Sequence, residues 1–170
     1  SQWQDTSDWY ETIDYFYRDK LNKMVRTRVC FSDSNTKISS IYKTKIKNMN
    51  CNVKPLYDTV NMFPKTLRLS LMCEQKVDNK NLPDITETEL VRIKHVKKFY
   101  LNSFVYILSK TWEDTKMESC SQKKMTCLPI FNIEVEVNYT QKYERMSSEY
   151  IAASCLLKAL AMSNHAVELL

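Results

Sequence analysis

No glycine occurs in 170 residues, where ordinary usage predicts roughly a dozen. Glycine is the residue that takes positive φ without steric cost and lets backbone approach a ligand closely. A chain without it has no phosphate-cradling loop, no dinucleotide-binding fingerprint and no nucleophile elbow, since each needs glycine at set positions. Turns must be made by Asn, Asp, Ser and only 4 prolines.

The length predicts a single domain over 1–170 with room for a buried core. Lys and Arg number 25 against 20 Asp and Glu, a net charge of +5. That suits solubility and falls short of a dedicated nucleic-acid binder. No run of about 18 apolar residues predicts membrane insertion. The first residues, Ser1 to Asp5, show neither the basic start nor the apolar stretch of a signal peptide, as an already processed chain would also not.

Six cysteines, Cys30, Cys51, Cys73, Cys120, Cys127 and Cys155, are spread along the chain. An even, dispersed set reads as three disulfides in a secreted, extracellular protein, with Cys120 and Cys127 closing a local loop. The other readings are buried thiols in a reducing compartment and, for want of any close ligand pair, least of all a metal site. Asn138 opens a sequon with Thr140 and marks a glycosylation site.

Periodicity predicts mostly helix. Tyr10, Ile13, Tyr17, Leu21 and Met24 form a stripe behind the Asp8/Glu11 capping pattern, predicting a helix over 8–26. Pro83, Asp84 and Glu87 precede Leu90, Ile93, Val96, Tyr100, Phe104 and Ile107, predicting a long helix over 85–113 whose apolar half crosses the core. Tyr143, Met146, Tyr150, Ala153, Leu157 and Leu160 share a face of a helix over 141–170. Residues 55–76 are expected as a helix kinked at Pro64, with a strand through Leu67, Leu69, Leu71 and Cys73 as the alternative. Ile133, Val135, Val137 and Tyr139 alternate with polar neighbours and predict a strand, with 25–31 as its partner. A short surface helix is expected over 37–50.

Chemistry-bearing residues are sparse. His95 sits among lysines and His165 near a helix end, positions of solvated side chains rather than of bases. Glu134 and Glu136 share one strand face, as paired catalytic acids would, but that face reads as solvent-facing. With no base, metal cluster or glycine-dependent site, the chain is expected not to be an enzyme and to need no cofactor. Between Asp33 and Asp58 there are lysines and no acid; Lys43, Lys45 and Lys47 read as a patch that steers a partner. Trp9 and Phe16, seven residues apart on the expected first helix, share a face outside its core stripe and read as interface anchors.

Four amphipathic stretches with long connections at 27–54 and 114–140 and a short one at 77–84 resemble the long-chain class I helical cytokines. The resemblance implies a mainly α, disulfide-stapled four-helix bundle of up-up-down-down topology with a short β element; an α+β domain is the alternative. It implies a secreted signalling ligand bound by a cell-surface protein receptor through Trp9, Phe16, the lysines and the 141–170 face. A sulfated glycan is a further expected partner, and nucleic acid is not expected. The alternatives are a carrier of a small apolar ligand, lined by 99–108, and an immune-modulating or gamete-surface binding protein.

Overall fold

The residues that recur every three or four along 10–24 lie on two antiparallel strands and a turn, not on a helix. The computed structural model describes residues 4–5, 8–32, 35–53, 65–77, 87–101, 104–137 and 147–168. In chain order the elements are β1 (Gln4–Asp5), β2 (Tyr10–Arg18), β3 (Met24–Ser32), β4 (Asn35–Val53), β5 (Lys65–Val77), β6 (Thr88–Leu101), β7 (Phe104–Asp114), α1 (Met117–Thr126), β8 (Ile130–Val137) and α2 (Ser148–Glu168). The strands form one antiparallel sheet in the order β5-β4-β3-β2-β6-β7-β8, with β1 added beside β6. The class is mainly β. The four-helix bundle is overturned, and an α+β domain does not describe one continuous sheet carrying two helices among the described residues.

The misreading has a physical cause. Both faces of β2, β6 and β7 are largely covered, so apolar residues stand at odd and even positions alike and mimic a helical stripe. β-branched and aromatic content then decides for strand: Thr12, Ile13, Tyr15, Phe16 and Tyr17 within β2, and Val91, Ile93 and Val96 within β6. The expected 85–113 helix is the β6–β7 hairpin, in which Leu101 pairs with Phe104. The expected 37–50 helix lies in β4. Of 55–76, residues 65–76 belong to β5, so the kinked helix gives way there to the strand that the Leu/Cys alternation offered as the alternative, while 55–64 lie outside the described residues. The strand expected around Ile133 is present, but it pairs with β7 and not with 25–31. The last helix is present as α2.

Without glycine, the β2–β3 turn uses Asn22, which takes φ of 58°, a conformation Asn tolerates better than most residues. The Asp19 carboxylate braces that turn by accepting hydrogen bonds from the backbone N–H of Leu21 and Lys23 at 2.9 and 2.8 Å. Tyr42 of β4 donates to the same carboxylate at 2.7 Å.

Alternation sorts each strand onto two faces. Ile13, Val91, Ile93 and Trp112 project to one face and pack with Cys120 of α1. Phe104 and Tyr106 project to the same face and pack with Ile151 and Cys155 of α2. The helices thus cover that face, leaving the opposite one for Thr12, Asp14, Arg26, Arg28, Lys43, Arg92, Lys94, Glu134 and Glu136.

The disulfide framework is also overturned. Cys30, Cys73, Cys120, Cys127 and Cys155 are free thiols, and the Cys51 side chain lies outside the described residues. Cys120 is 0% exposed on the sheet-facing side of α1, its thiol directed at the Trp112 carbonyl at 3.3 Å, whereas Cys127 is exposed. They close no loop together.

Candidate functional site

The polar face is the inner face of a curl. In a flat sheet β8 and β4 would stand five strand spacings apart, roughly 24 Å. Yet Lys43 of β4 and Arg28 of β3 both act on the Glu134 carboxyl of β8, and Glu136 acts on Arg26 of β3. Such coupling requires the sheet to roll up with this face inward. Rolled antiparallel sheets ordinarily fill small interiors with packed apolar side chains. Here Val96, Val105 and Ile107, with Tyr10 against them, fill only part of it.

The charged part is built from pairs on neighbouring strands. Asp14 of β2 lies opposite Arg28 of β3 in register and accepts from Arg28 Nε at 2.6 Å and Nη2 at 2.7 Å. Burial alone would push the Asp14 carboxyl up; Arg28, Arg26 and Lys94 outweigh it and hold the group below its ordinary value. Lys94 of β6 donates to Glu134 of β8 at 3.0 Å. Burial raises the Glu134 carboxyl, and Lys94, Lys43 and Arg28 bring it below the usual range. Arg92 donates to Glu113 at 2.5 Å and lies over the Phe16 ring at 5.0 Å.

Two cations are less well served. Arg26 and Lys43 share the single carboxylate of Glu74, at 3.8 and 3.6 Å. The Arg26 Nε is buried with no hydrogen-bond partner. Burial and neighbouring positive charge push both groups below their ordinary values, Arg28 acting on Arg26 and Arg26 on Lys43. Arg26, largely buried beside Arg28 and Lys43, thus keeps one long ion-pair contact with Glu74, with Asp14 and Glu136 as the further carboxylates that act on it.

The predicted site residues fare differently. Glu134 and Glu136 do share a face, the one that curls inward; Glu134 is paired with Lys94 while its side chain stays 40% exposed, and Glu136 is exposed, as the solvent-facing reading expected. Trp9 and Phe16 do not share a face, because an odd spacing along an extended chain puts residues on opposite sides. Trp9 is 47% exposed on the outer side, with Lys110 over its ring at 5.3 Å, while Phe16 is half-buried on the inner side. Lys43 points inward, Lys45 is exposed, and the Lys47 side chain and Asn138 lie outside the described residues. His95 is no solvated helix residue: on β6 its Nε2 lies 2.7 Å from Glu11, which also accepts from Lys124 of α1. The residues missed were Asp14, Arg26, Arg28, Arg92 and Lys94. Their signal was present in Val25-Arg26-Thr27-Arg28-Val29 and Val91-Arg92-Ile93-Lys94, where basic residues alternate with β-branched ones.

No helix among the described residues is long and apolar enough to cross a membrane. No family model matches the chain, and no curated protein matches it significantly. Among solved structures it is similar to the S. pombe Pct1 RNA triphosphatase, with a TM-score of 0.54 and 16% identity over 94% of this chain. The chain spans 56% of the length of that structure. At this identity the likeness is one of fold alone. It replaces the cytokine resemblance, and with it the secreted-ligand reading. The carrier reading falls as well, since its apolar helix through 99–108 is two strands.

Proposed function

We propose that the curled inner face binds a polyphosphate and hydrolyses the terminal phosphoanhydride of a triphosphate end. The observation that supports this reading is the unequal pairing inside the curl, where Arg26 and Lys43 share Glu74 and the Arg26 Nε has no partner. The fold likeness to a protein named as an RNA triphosphatase agrees with it.

Water attacks the terminal phosphorus, the bond from that phosphorus to the bridging oxygen breaks, and orthophosphate and a diphosphate end leave. Such transfers depend on placement and charge neutralisation more than on covalent help from the protein. Arg26, Arg28 and Lys43 carry the phosphoryl charge, and Lys94 exchanges Glu134 for a phosphoryl oxygen. Glu134, thus released, and Glu136 orient the water. Among the described residues no three His, Cys, Asp or Glu side chains gather as a metal site.

The test is orthophosphate release from a 5′-triphosphate RNA oligonucleotide, with and without magnesium or manganese, alongside calorimetric binding of inorganic tripolyphosphate. Wild-type release should fall on the order of 100-fold in Arg26→Ala and in Glu134→Gln, the scale of removing one preorganised electrostatic contact. A wild type that neither releases orthophosphate nor binds tripolyphosphate would overturn the reading.

A further inference from the structure

Four buried side-chain polar atoms among the described residues have no hydrogen-bond partner: Thr12 Oγ1, Arg26 Nε, Thr88 Oγ1 and Ser109 Oγ. Thr12, Arg26 and Ser109 stand on the inner face, as their strand registers show. Thr12 is 1% exposed and Ser109 2%. A buried hydroxyl without a protein partner loses free energy that an apolar side chain of the same shape would not. Valine and alanine would have filled these positions in a sheet already rich in valine. Two retained hydroxyls on one face therefore need a common use.

Their placement supplies one. Thr12 of β2 pairs with Lys94 of β6, and Lys94 pairs with Thr111 of β7. Ser109 lies two residues along β7 from Thr111, opposite Val96. Thr12 thus stands directly across from Lys94 and Ser109 diagonally beyond it, two strand spacings and two residues of strand apart, roughly 12 Å, a span comparable with an extended chain of linked phosphates and its two hydrogen bonds. Neighbouring polar atoms are taken: Asn132 Nδ2 donates to Thr111 Oγ1 at 3.1 Å, and Lys94 Nζ donates to Glu134. A phosphoryl group that draws the Lys94 ammonium from Glu134 arrives between two uncommitted donors.

We infer that the Thr12 and Ser109 hydroxyls donate to phosphoryl oxygens of one linear polyphosphate laid across β2, β6 and β7, with the Lys94 ammonium between them. The inference rests on the polyphosphate reading of the interior and adds the direction in which the chain of phosphates lies and the neutral donors that select its length. Hydroxyls suit this place because they add donors to a floor that already holds Asp14, Arg28, Lys94 and Glu134 without disturbing its charge balance.

The experiment measures binding of inorganic tripolyphosphate and of orthophosphate by calorimetry, with thermal unfolding of each variant, for wild type, Thr12→Val, Thr12→Ser and Ser109→Ala. Thr12→Val and Ser109→Ala should each weaken tripolyphosphate roughly tenfold, as expected for a hydrogen bond to a charged acceptor. Their melting temperatures should hold or rise, because an unpartnered buried hydroxyl has been removed. Thr12→Ser keeps the hydroxyl and should keep the affinity. Orthophosphate, too short to reach both donors, should respond to one substitution at most. Wild-type tripolyphosphate binding that neither Thr12→Val nor Ser109→Ala alters would overturn this inference and leave the interior reading standing. The same holds for equal weakening of orthophosphate by both, or for affinity lost together with a fall in melting temperature. A wild type that binds no tripolyphosphate overturns both.

Discussion

Asp14 and Arg28 face each other across β2 and β3 through two hydrogen bonds of 2.6 and 2.7 Å, and Asp14 is 1% exposed. The pair neutralises the floor of the curl beside Lys94 and Arg26. Replacing both partners with well-packed apolar residues would cost little, but removing one leaves the other buried and unpaired.

Asp14→Ala should therefore destabilise the protein by about 3 kcal/mol or more. In a domain of this size that lowers the melting temperature by roughly 6–12 °C. Circular dichroism at 218 nm, near the β-sheet minimum, would follow the transition. An unchanged melting temperature would show that Arg28 is satisfied without Asp14.

Acid should unfold the protein through the same carboxylates. Asp14 and Glu134 are held below their ordinary values in the folded state, so they bind protons more readily when unfolded. Their stabilisation is complete above the unfolded values, about 3.9 and 4.3, and is lost as pH falls through the lower folded ones. Urea midpoints should thus be flat near neutrality and drop below about pH 4. Asp14→Asn should flatten the acid limb; an identical limb in the variant would contradict the assignment.

Thiol reactivity should separate the cysteines. Cys73 and Cys127 are exposed, while burial between α1 and the sheet pushes the Cys120 thiol up, which lowers the thiolate fraction that reacts. Native protein treated with a maleimide and mapped by mass spectrometry should label Cys73 and Cys127 first and Cys120 last. After denaturation without reductant, Cys30, Cys73, Cys120, Cys127 and Cys155 should all label. Any of these five found oxidised to a disulfide would restore the stapled reading.

The outer latch on α1 is a fourth test. Glu11 accepts from both His95 and Lys124, tying β2 and β6 to the helix. Glu11→Ala should cost about 1 kcal/mol. Amide hydrogen exchange should quicken in α1 several-fold while β6 and β7 stay protected. Uniform acceleration across the sheet would mean that the cluster supports the whole fold.

Two elements were legible in the chain itself. Ile133, Val135 and Val137 alternate with Asn132, Glu134 and Glu136 on a strand with one polar face, and period two is unambiguous there. Residues 148–168 hold an alanine-rich run with no helix breaker, and local propensity suffices for α2. The absence of glycine also ruled out phosphate-cradling loops, so any phosphate chemistry has to come from side chains on strands. Strands β2, β6 and β7 were not legible, because burial on both faces erases the alternation that marks a strand and leaves spacings a helix would also fit. The site was legible only in pieces: the Glu134/Glu136 face, Lys43, and the alternation of basic with β-branched residues around Arg26, Arg28 and Lys94. Asp14, Arg28, Lys94 and Glu134 span 120 positions and are brought together by cross-strand pairing and by the curl. Alternation along a strand dictates only that its side chains divide between two faces. Which face rolls inward is settled by α1 and α2, which bury the apolar one and leave the charged one to line the interior.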